Sequence, residues 1–398
     1  MASKHYVGDG GTAYGSGVIN GILDRGDTCI SEKELRKTHL APYKELIKSG
    51  AKVVMASFSS YNGTKMHENK YLLTDVLKGE LGFKGFVVSD WEAVKDLGGD
   101  SFEANVAFAI NAGVDMLMEP FNYEKARAEI IANVNKGTIS IARIDDAVKR
   151  ILEVKIEMGL FEDPYMEKLN HEVTELGSDE YRNLAKQLVE KSLVLLKNEN
   201  NTLPLKKGST ILVTGPAADD MGVQCGGWMT TWQGFSDKDG KRAAKGMTIL
   251  EGLEAYAGQY GLNIITDKEK ASEADAVILA VGEMPYAEYE GDTKDLSLTG
   301  EKGLTGNQEA IDFARSLQKP TVALIVAGRN VLISDYMKDW DSIVMCYLPG
   351  TEGEGIASVL TGETPFTGKL PMPYYKSTKD IKAKKADYLY PLGYGLTD

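Results

Sequence analysis

Cysteine is scarce in this chain. Only Cys29, Cys225 and Cys346 occur in 398 residues, an odd number at wide spacing, so a disulfide framework is not the organising device. Histidine is nearly as rare, with four, and no cluster of His and Cys at metal-ligand spacing appears, so neither a metal site nor a metal cofactor is expected. No apolar run approaches the roughly 20 residues a membrane span needs. The opening Met1-Ala2-Ser3-Lys4-His5 lacks the charged-then-apolar pattern of a secretion signal. It reads as an added start, which leaves the native compartment open. A surplus of positive charge is missing too: 45 Lys and Arg face 58 Asp and Glu, a net charge of −13. Binding to nucleic acid or to an anionic membrane through general electrostatics is therefore not expected, and a neutral ligand is favoured over a polyanion. Internal repeats and low-complexity segments are absent.

What is present is an ordinary globular composition, 43% hydrophobic and 26% charged, on a chain long enough for two domains. The stretch around which the rest is arranged is Leu81 to Glu92, LGFKGFVVSDWE. Phe86, Val87 and Val88 form an apolar run without polar alternation, bounded by Gly85 and by Ser89-Asp90, which suits a parallel strand buried on both faces. The acid then falls at the strand's C-terminal end, the face where parallel α/β architectures gather ligands and catalytic side chains. Asp90 is thereby a candidate for chemistry and Trp91 for the wall of its pocket. The plainer alternative is that Asp90 caps the helix that follows.

Strands and helices alternate along the chain. A helix pattern starts at Ser31, with Leu35, Leu40, Tyr43, Leu46 and Ile47 on one face, and stops at Gly50. Strands are expected at Lys52 to Ser57, Gly85 to Asp90 and Asp115 to Glu119. Helices are expected at Tyr71 to Lys78, Ser101 to Ala112, Tyr123 to Lys136 and Arg143 to Met158. No strand of useful length is expected before the glycine-rich Gly8-Asp9-Gly10-Gly11. From residue 161 to 178 the sequence is charged and aperiodic, as in a surface linker. A helix from Ser178, carrying Tyr181, Leu184, Leu188, Val189 and Leu193, then opens a second βα series. Its strands are expected at Thr210 to Thr214, Ala276 to Val281, Thr321 to Ala327 and Ser342 to Tyr347, its helices at Leu250 to Tyr260, Asn307 to Leu317 and Glu354 to Leu360. The fold class is thus α/β: a partial (β/α)-barrel domain over 1–160, a linker over 161–178, and an α/β sandwich over 179–398. About three βα units stand where a closed (β/α)₈ barrel needs eight.

Two loops of the second domain carry unusual side chains. Gln224 to Gly234, QCGGWMTTWQG, holds two of the four tryptophans beside three glycines. Exposed indoles stack on the apolar faces of sugar rings or other flat ligands. The alternative is that they plug an interface between domains. Val281 to Asp292, VGEMPYAEYEGD, follows a buried strand and gathers Glu283, Glu288, Glu290 and Asp292. Such a cluster is ordinary solvated surface unless one acid is desolvated and becomes a general acid. Glycines 8, 10 and 11 suggest a phosphate loop only superficially, because no strand-to-helix junction surrounds them, and no nucleotide or other cofactor is expected.

Taken together, these segments resemble glycoside hydrolase family 3, in particular its β-glucosidase and exo-β-glucanase branch. The resemblance rests on KHYVGDGGT at 4–12, KMHEN at 65–69, GFKGFVVSDW at 82–91, KSLVLLKNENNTLPL at 191–205, QCGGWMTTWQG at 224–234, GEMPYAEYEGD at 282–292 and PLGYGL at 391–396. It implies Asp90 as nucleophile and Glu288 as acid/base, with Trp91 and Trp232 clamping the leaving-group sugar. Lys4 and His5 would hold hydroxyls of the sugar being cleaved, and Met118 and Glu283 complete the implied substrate contacts. The ligand would be a β-glucoside or β-glucan oligosaccharide. A retaining mechanism needs two carboxyls about 5 Å apart, one to attack the anomeric carbon and one to protonate the departing oxygen. The family's N-acetylglucosaminidase branch places a histidine in the loop after the KH motif; Thr12 to Ser16 here lacks it, which favours the glucosidase branch.

The chain also departs from the family. Relatives carry roughly half of the barrel before the KH motif, and Asp96 stands near where many have Arg. An incomplete barrel would leave strand edges and apolar faces to be covered. The expectation is a chain that pairs with a complementary N-terminal barrel piece or with itself, whether by natural division, processing or deliberate truncation. Two function classes follow: a retaining β-glucosidase whose missing wall is supplied in trans, or a weak or inactive fragment that keeps sugar binding or assembly.

Overall fold

The computed structural model describes residues 2–167, 177–229, 231–381 and 387–397. They belong to two compact units, Met1–Val173 and Thr174–Asp398. Half of the expected linker, residues 168–176, lies outside the described residues.

In the first unit the elements run β1 (Ala2–Tyr6), α1 (Ala41–Lys48), β2 (Val53–Ala56), β3 (Phe86–Val88), α2 (Phe102–Ala112), α3 (Tyr123–Lys136) and α4 (Ile141–Glu157). The three strands are parallel in the order β1-β2-β3, with Val53 opposite Phe86 and Met55 opposite Val88. Helix starts follow local chemistry: the Ser101 and Ser140 hydroxyls accept the N–H groups of Ala104 and Arg143 at the entries to α2 and α4. Val54, Ala56 and Val87 are buried with Leu72, Leu73, Val76, Phe83, Val106 and Ile110 in one core that fixes how the helices lie on the strands.

Three sequence expectations are corrected here. A strand does precede the glycine-rich loop, because β1 pairs with β2, although Ala-Ser-Lys-His-Tyr carries no strand pattern of its own. The helix from Ser31 is not continuous: Leu35–His39 is a widened turn before α1, and Tyr71–Glu80 is likewise wide-turned. Asp115 to Glu119 is not a strand but touches β3 through one bridge, Val88 to Met116. Asp115 explains the interruption. Its buried carboxylate accepts from the Val87 N–H and pairs with Lys78 and Arg143, a polar junction where a strand would continue apolar pairing.

The second unit runs α5 (Asp179–Ser192), β4 (Val194–Asn198), β5 (Thr210–Thr214), α6 (Ile249–Tyr260), β6 (Asn263–Ile265), β7 (Ala276–Gly282), α7 (Asn307–Leu317), β8 (Thr321–Val326), β9 (Ser342–Tyr347) and α8 (Gly353–Leu360). Six strands form one sheet in the order β4-β9-β8-β7-β5-β6, parallel except for the antiparallel β4-β9 pair. Side-chain alternation assigns Ile278 and Ala280 to one core and Val277, Leu279 and Val281 to another, so the sheet is buried on both faces. The expected α/β class holds: a barrel-type strand-and-helix unit followed by an α/β sandwich. β4 goes unread in the sequence because Leu193-Val194-Leu195-Leu196 continues the apolar run of α5, whereas the helix ends at Ser192.

Candidate active site

Strand β3 ends at Val88 and delivers Asp90 two residues later. Buried Ser89 locks the turn: its hydroxyl donates to the Asp90 carbonyl at 2.9 Å and accepts the Met118 N–H at 2.7 Å. The Asp90 N–H donates to His67 Nε2 at 3.0 Å. His67 is only 2% exposed, and burial, reinforced by the positive charge of Lys65, pushes its pKa down to about 3. The ring is therefore neutral, with a lone pair on Nε2 free to accept.

The Asp90 carboxylate accepts the Trp91 N–H on Oδ1 at 2.7 Å, and its Oδ2 faces His5 Nε2 at 3.4 Å. His5 Nδ1 faces Asp9 Oδ2 at 3.6 Å, and Asp9 Oδ1 accepts from the Ser57 and Ser59 hydroxyls at 2.7 and 3.1 Å. A chain of polar groups thus runs from β2 through Asp9 and His5 to Asp90. The helix-cap alternative is not what the structure shows. The next helical turn, Ala93–Asp96, has no side-chain cap, and Glu92 before it sits at φ 50°.

Lys4 lies on β1, exposed, one residue from His5. Trp91 is half exposed and meets Phe121 edge-on, ring centroids 5.8 Å apart. Met118 is partly exposed, its N–H held by Ser89 and its carbonyl by the Glu92 N–H.

Several groups near Asp90 in the chain or in the fold escape sequence reasoning. His67 stands inside the KMHEN motif, but nothing in its spacing announces an acceptor for a backbone amide 23 residues away. Glu119 is 4% exposed, with Oε1 unpartnered among the described residues, and burial followed by the neighbouring charge of Glu92 holds its pKa above the usual carboxylate range. Asp96 is answered by Arg25, whose guanidinium reaches its carboxylate at 2.9 Å and lies 4.0 Å over the Phe58 ring.

In the second unit the acid-rich loop leaves β7. Glu283 is 3% exposed and turned inward: Arg329 donates Nε to both carboxylate oxygens at 3.0 Å and a terminal nitrogen to Oε1 at 2.8 Å, and the Tyr286 hydroxyl donates at 2.8 Å. Arg329 also donates to the Gly291 carbonyl at 2.7 Å, so one guanidinium holds both ends of the loop. Glu283, expected as a sugar contact, is held by Arg329 and Tyr286 and ties this loop together. Glu288 begins the single turn Glu288–Gly291 at φ 50°, its side chain exposed.

The tryptophan-bearing loop lies beside it. The Trp228 N–H donates to the Trp232 carbonyl at 2.8 Å, and Trp232 meets Tyr289 edge-on at 5.7 Å. Neither indole is buried, with Trp228 64% and Trp232 41% exposed. Among the described residues no group of His, Cys, Asp and Glu is arranged to hold a metal ion, and no helix is long and apolar enough to cross a membrane.

Two family profiles cover most of the chain: the glycosyl hydrolase family 3 N terminal domain matches residues 1–154, and the glycosyl hydrolase family 3 C-terminal domain matches residues 193–397. The chain belongs to glycoside hydrolase family 3. It is 33% identical over 410 residues to a lysosomal beta glucosidase of Dictyostelium discoideum, which covers 95% of this chain and 48% of that protein. The fold superposes on a mutant of the exo-1,3/1,4-beta-glucanase of a Pseudoalteromonas species with a TM-score of 0.89 at 39% identity, covering 99% of this chain and 64% of that one. A β-glucosidase from Listeria innocua, solved in complex with isofagomine, is similar at TM-score 0.84 and 26% identity, covering 100% and 58%. This family 3 chain therefore spans about half the length of the curated relative. The expectation that the N-terminal half of the barrel is lacking finds no support in the profile match, which represents that domain over 1–154.

Proposed function

We propose that the protein acts as a retaining, exo-acting β-glucosidase, removing nonreducing-end β-D-glucosyl residues from oligosaccharides or aryl glucosides. The observation that carries this reading is the setting of Asp90: a carboxylate at the C-terminal end of a parallel strand, its backbone held by neutral His67 and its Oδ2 facing His5. In the proposed reaction the Asp90 carboxylate bonds to the anomeric carbon as the bond to the leaving oxygen breaks, and Glu288 gives that oxygen a proton. Glu288 then takes a proton from water, whose oxygen attacks the anomeric carbon and releases Asp90. Lys4 and His5 hold hydroxyls of the reacting sugar, Met118 offers it an apolar contact, and Trp91 and Trp232 pack against the faces of the leaving group. Glu283 serves this reaction through Arg329 by shaping the loop that carries Glu288. The names of the related enzymes support the substrate class. We propose the domain limits 1–160 and 179–398 for the two catalytic parts.

We further propose that full activity uses additional barrel strands docked in trans beside β1, either from a complementary chain or from a second copy. Support comes from the three-stranded parallel sheet, in which β1 pairs on one side only among the described residues. The test is release of nitrophenol from an aryl β-glucoside by the wild type, Asp90→Asn and Glu288→Gln, with size in solution recorded in parallel. Loss of at least about a thousandfold in Asp90→Asn supports the assignment. Equal turnover by wild type and Asp90→Asn overturns it. Turnover by a strictly monomeric species counts against the partner strands.

A further inference from the structure

We propose that Gln233 is a positioning residue for Glu288, fixing the backbone that aims the acid/base through a hydrogen bond to Ala287. This rests on the reading of Glu288 as acid/base. Ala287 is extended and buried, and Glu288 immediately after it turns into the left-handed region at φ 50°, a conformation that an L residue keeps only when its surroundings hold it. The surroundings here include the Gln233 side chain, whose Oε1 accepts the Ala287 N–H at 2.7 Å. A backbone N–H can be satisfied only by the oxygen end of the amide, so the orientation of Gln233 is dictated. Among the described residues, that orientation leaves Nε2 buried with no partner.

An unmade buried donor is unfavourable, and an apolar side chain of similar size would avoid it. The acceptor toward Ala287 is what Gln233 supplies in return. Gln233 also follows Trp232 directly, and the two loops touch at backbone level around it. A Cβ on Gly227 would stand 2.3 Å from the Tyr286 carbonyl oxygen, and one on Gly234 2.6 Å from the Pro285 ring. With Trp232 edge-on to Tyr289, the indole and the acid are held as one body, and Gln233 is the polar link between them.

The test compares Gln233→Leu, which keeps volume and removes the acceptor, with Gln233→Glu, which keeps an acceptor oxygen, and uses Glu288→Ala as reference. The readout is kcat/KM across aryl β-glucosides from dinitrophenyl, which departs without protonation, to phenyl, which needs it. In Gln233→Leu the phenyl substrate is expected to lose about tenfold to a hundredfold and the dinitrophenyl substrate less than about threefold. Gln233→Glu is expected to keep the leaving-group dependence of the wild type. A merely structural role would lower both substrates alike.

If Glu288→Ala steepens the dependence and Gln233→Leu does not, the positioning role is overturned and the acid/base reading stands. If Glu288→Ala leaves the dependence unchanged, both fall. Independently of turnover, hydrogen exchange at the Ala287 amide is expected to quicken by at least about tenfold in Gln233→Leu and to stay slow in Gln233→Glu. Unchanged exchange in folded Gln233→Leu overturns the proposal whatever the enzyme does.

Discussion

His67 shows how one side chain serves both site and stability. Its folded pKa of about 3 lies below the ordinary value of 6.5, so between those limits the unfolded chain binds a proton that the folded one refuses. The stability tied to this group is therefore present above about pH 6.5 and is lost as pH falls toward 3, with a slope of at most about 1.4 kcal/mol per pH unit. In His67→Gln, whose amide oxygen still accepts the Asp90 N–H, denaturant midpoints should vary less steeply across that acid range. A slope equal to wild type would mean that His67 titrates normally in the fold. None of this is legible from a histidine in a polar pentapeptide, because the burial that depresses its pKa is assembled from distant parts of the chain. Asp90 was legible, since a run of β-branched and aromatic residues ending in Ser-Asp-Trp marks a strand end from sequence alone.

At the scale of elements, β7 and the loop after it illustrate what local pattern reaches. The strand reads directly from seven apolar or small residues, Ala276 to Gly282. Its loop is decided by Arg329, which comes from beyond β8 and holds Glu283 and Gly291 together. Arg329→Ala strands a buried carboxylate, and unfolding free energy should fall by about 3–5 kcal/mol. The double variant Glu283→Leu with Arg329→Met, which removes both charges, should recover most of that in denaturant titrations. A single variant as stable as the wild type would mean that the pair does not organise the loop. β1, β4 and the 115–119 segment were misread for a shared reason. Strand pairing is a property of two segments, and each of these takes its conformation from a partner strand or a buried ion pair rather than from its own residues.

Across the whole molecule the net charge of −13 favours neutral substrates over anionic ones. Hydrolysis of a neutral aryl glucoside should change less than about twofold between low and physiological salt, while a phosphorylated glucoside should be poorly used and improve as salt screens the repulsion. A phosphorylated substrate preferred at low salt would contradict this. The α/β class, most of the strands and helices and the family follow from the sequence by itself, because hydrophobic period and long ordered motifs are written locally along the chain. Tertiary structure alone decided that His67 and His5 attend Asp90, that Glu283 faces Arg329 rather than solvent, and that Gln233 reaches Ala287. Those contacts join segments separated by 23 to 85 residues, and hydrogen bonds between such segments depend on where the packed cores bring them, which no local pattern encodes.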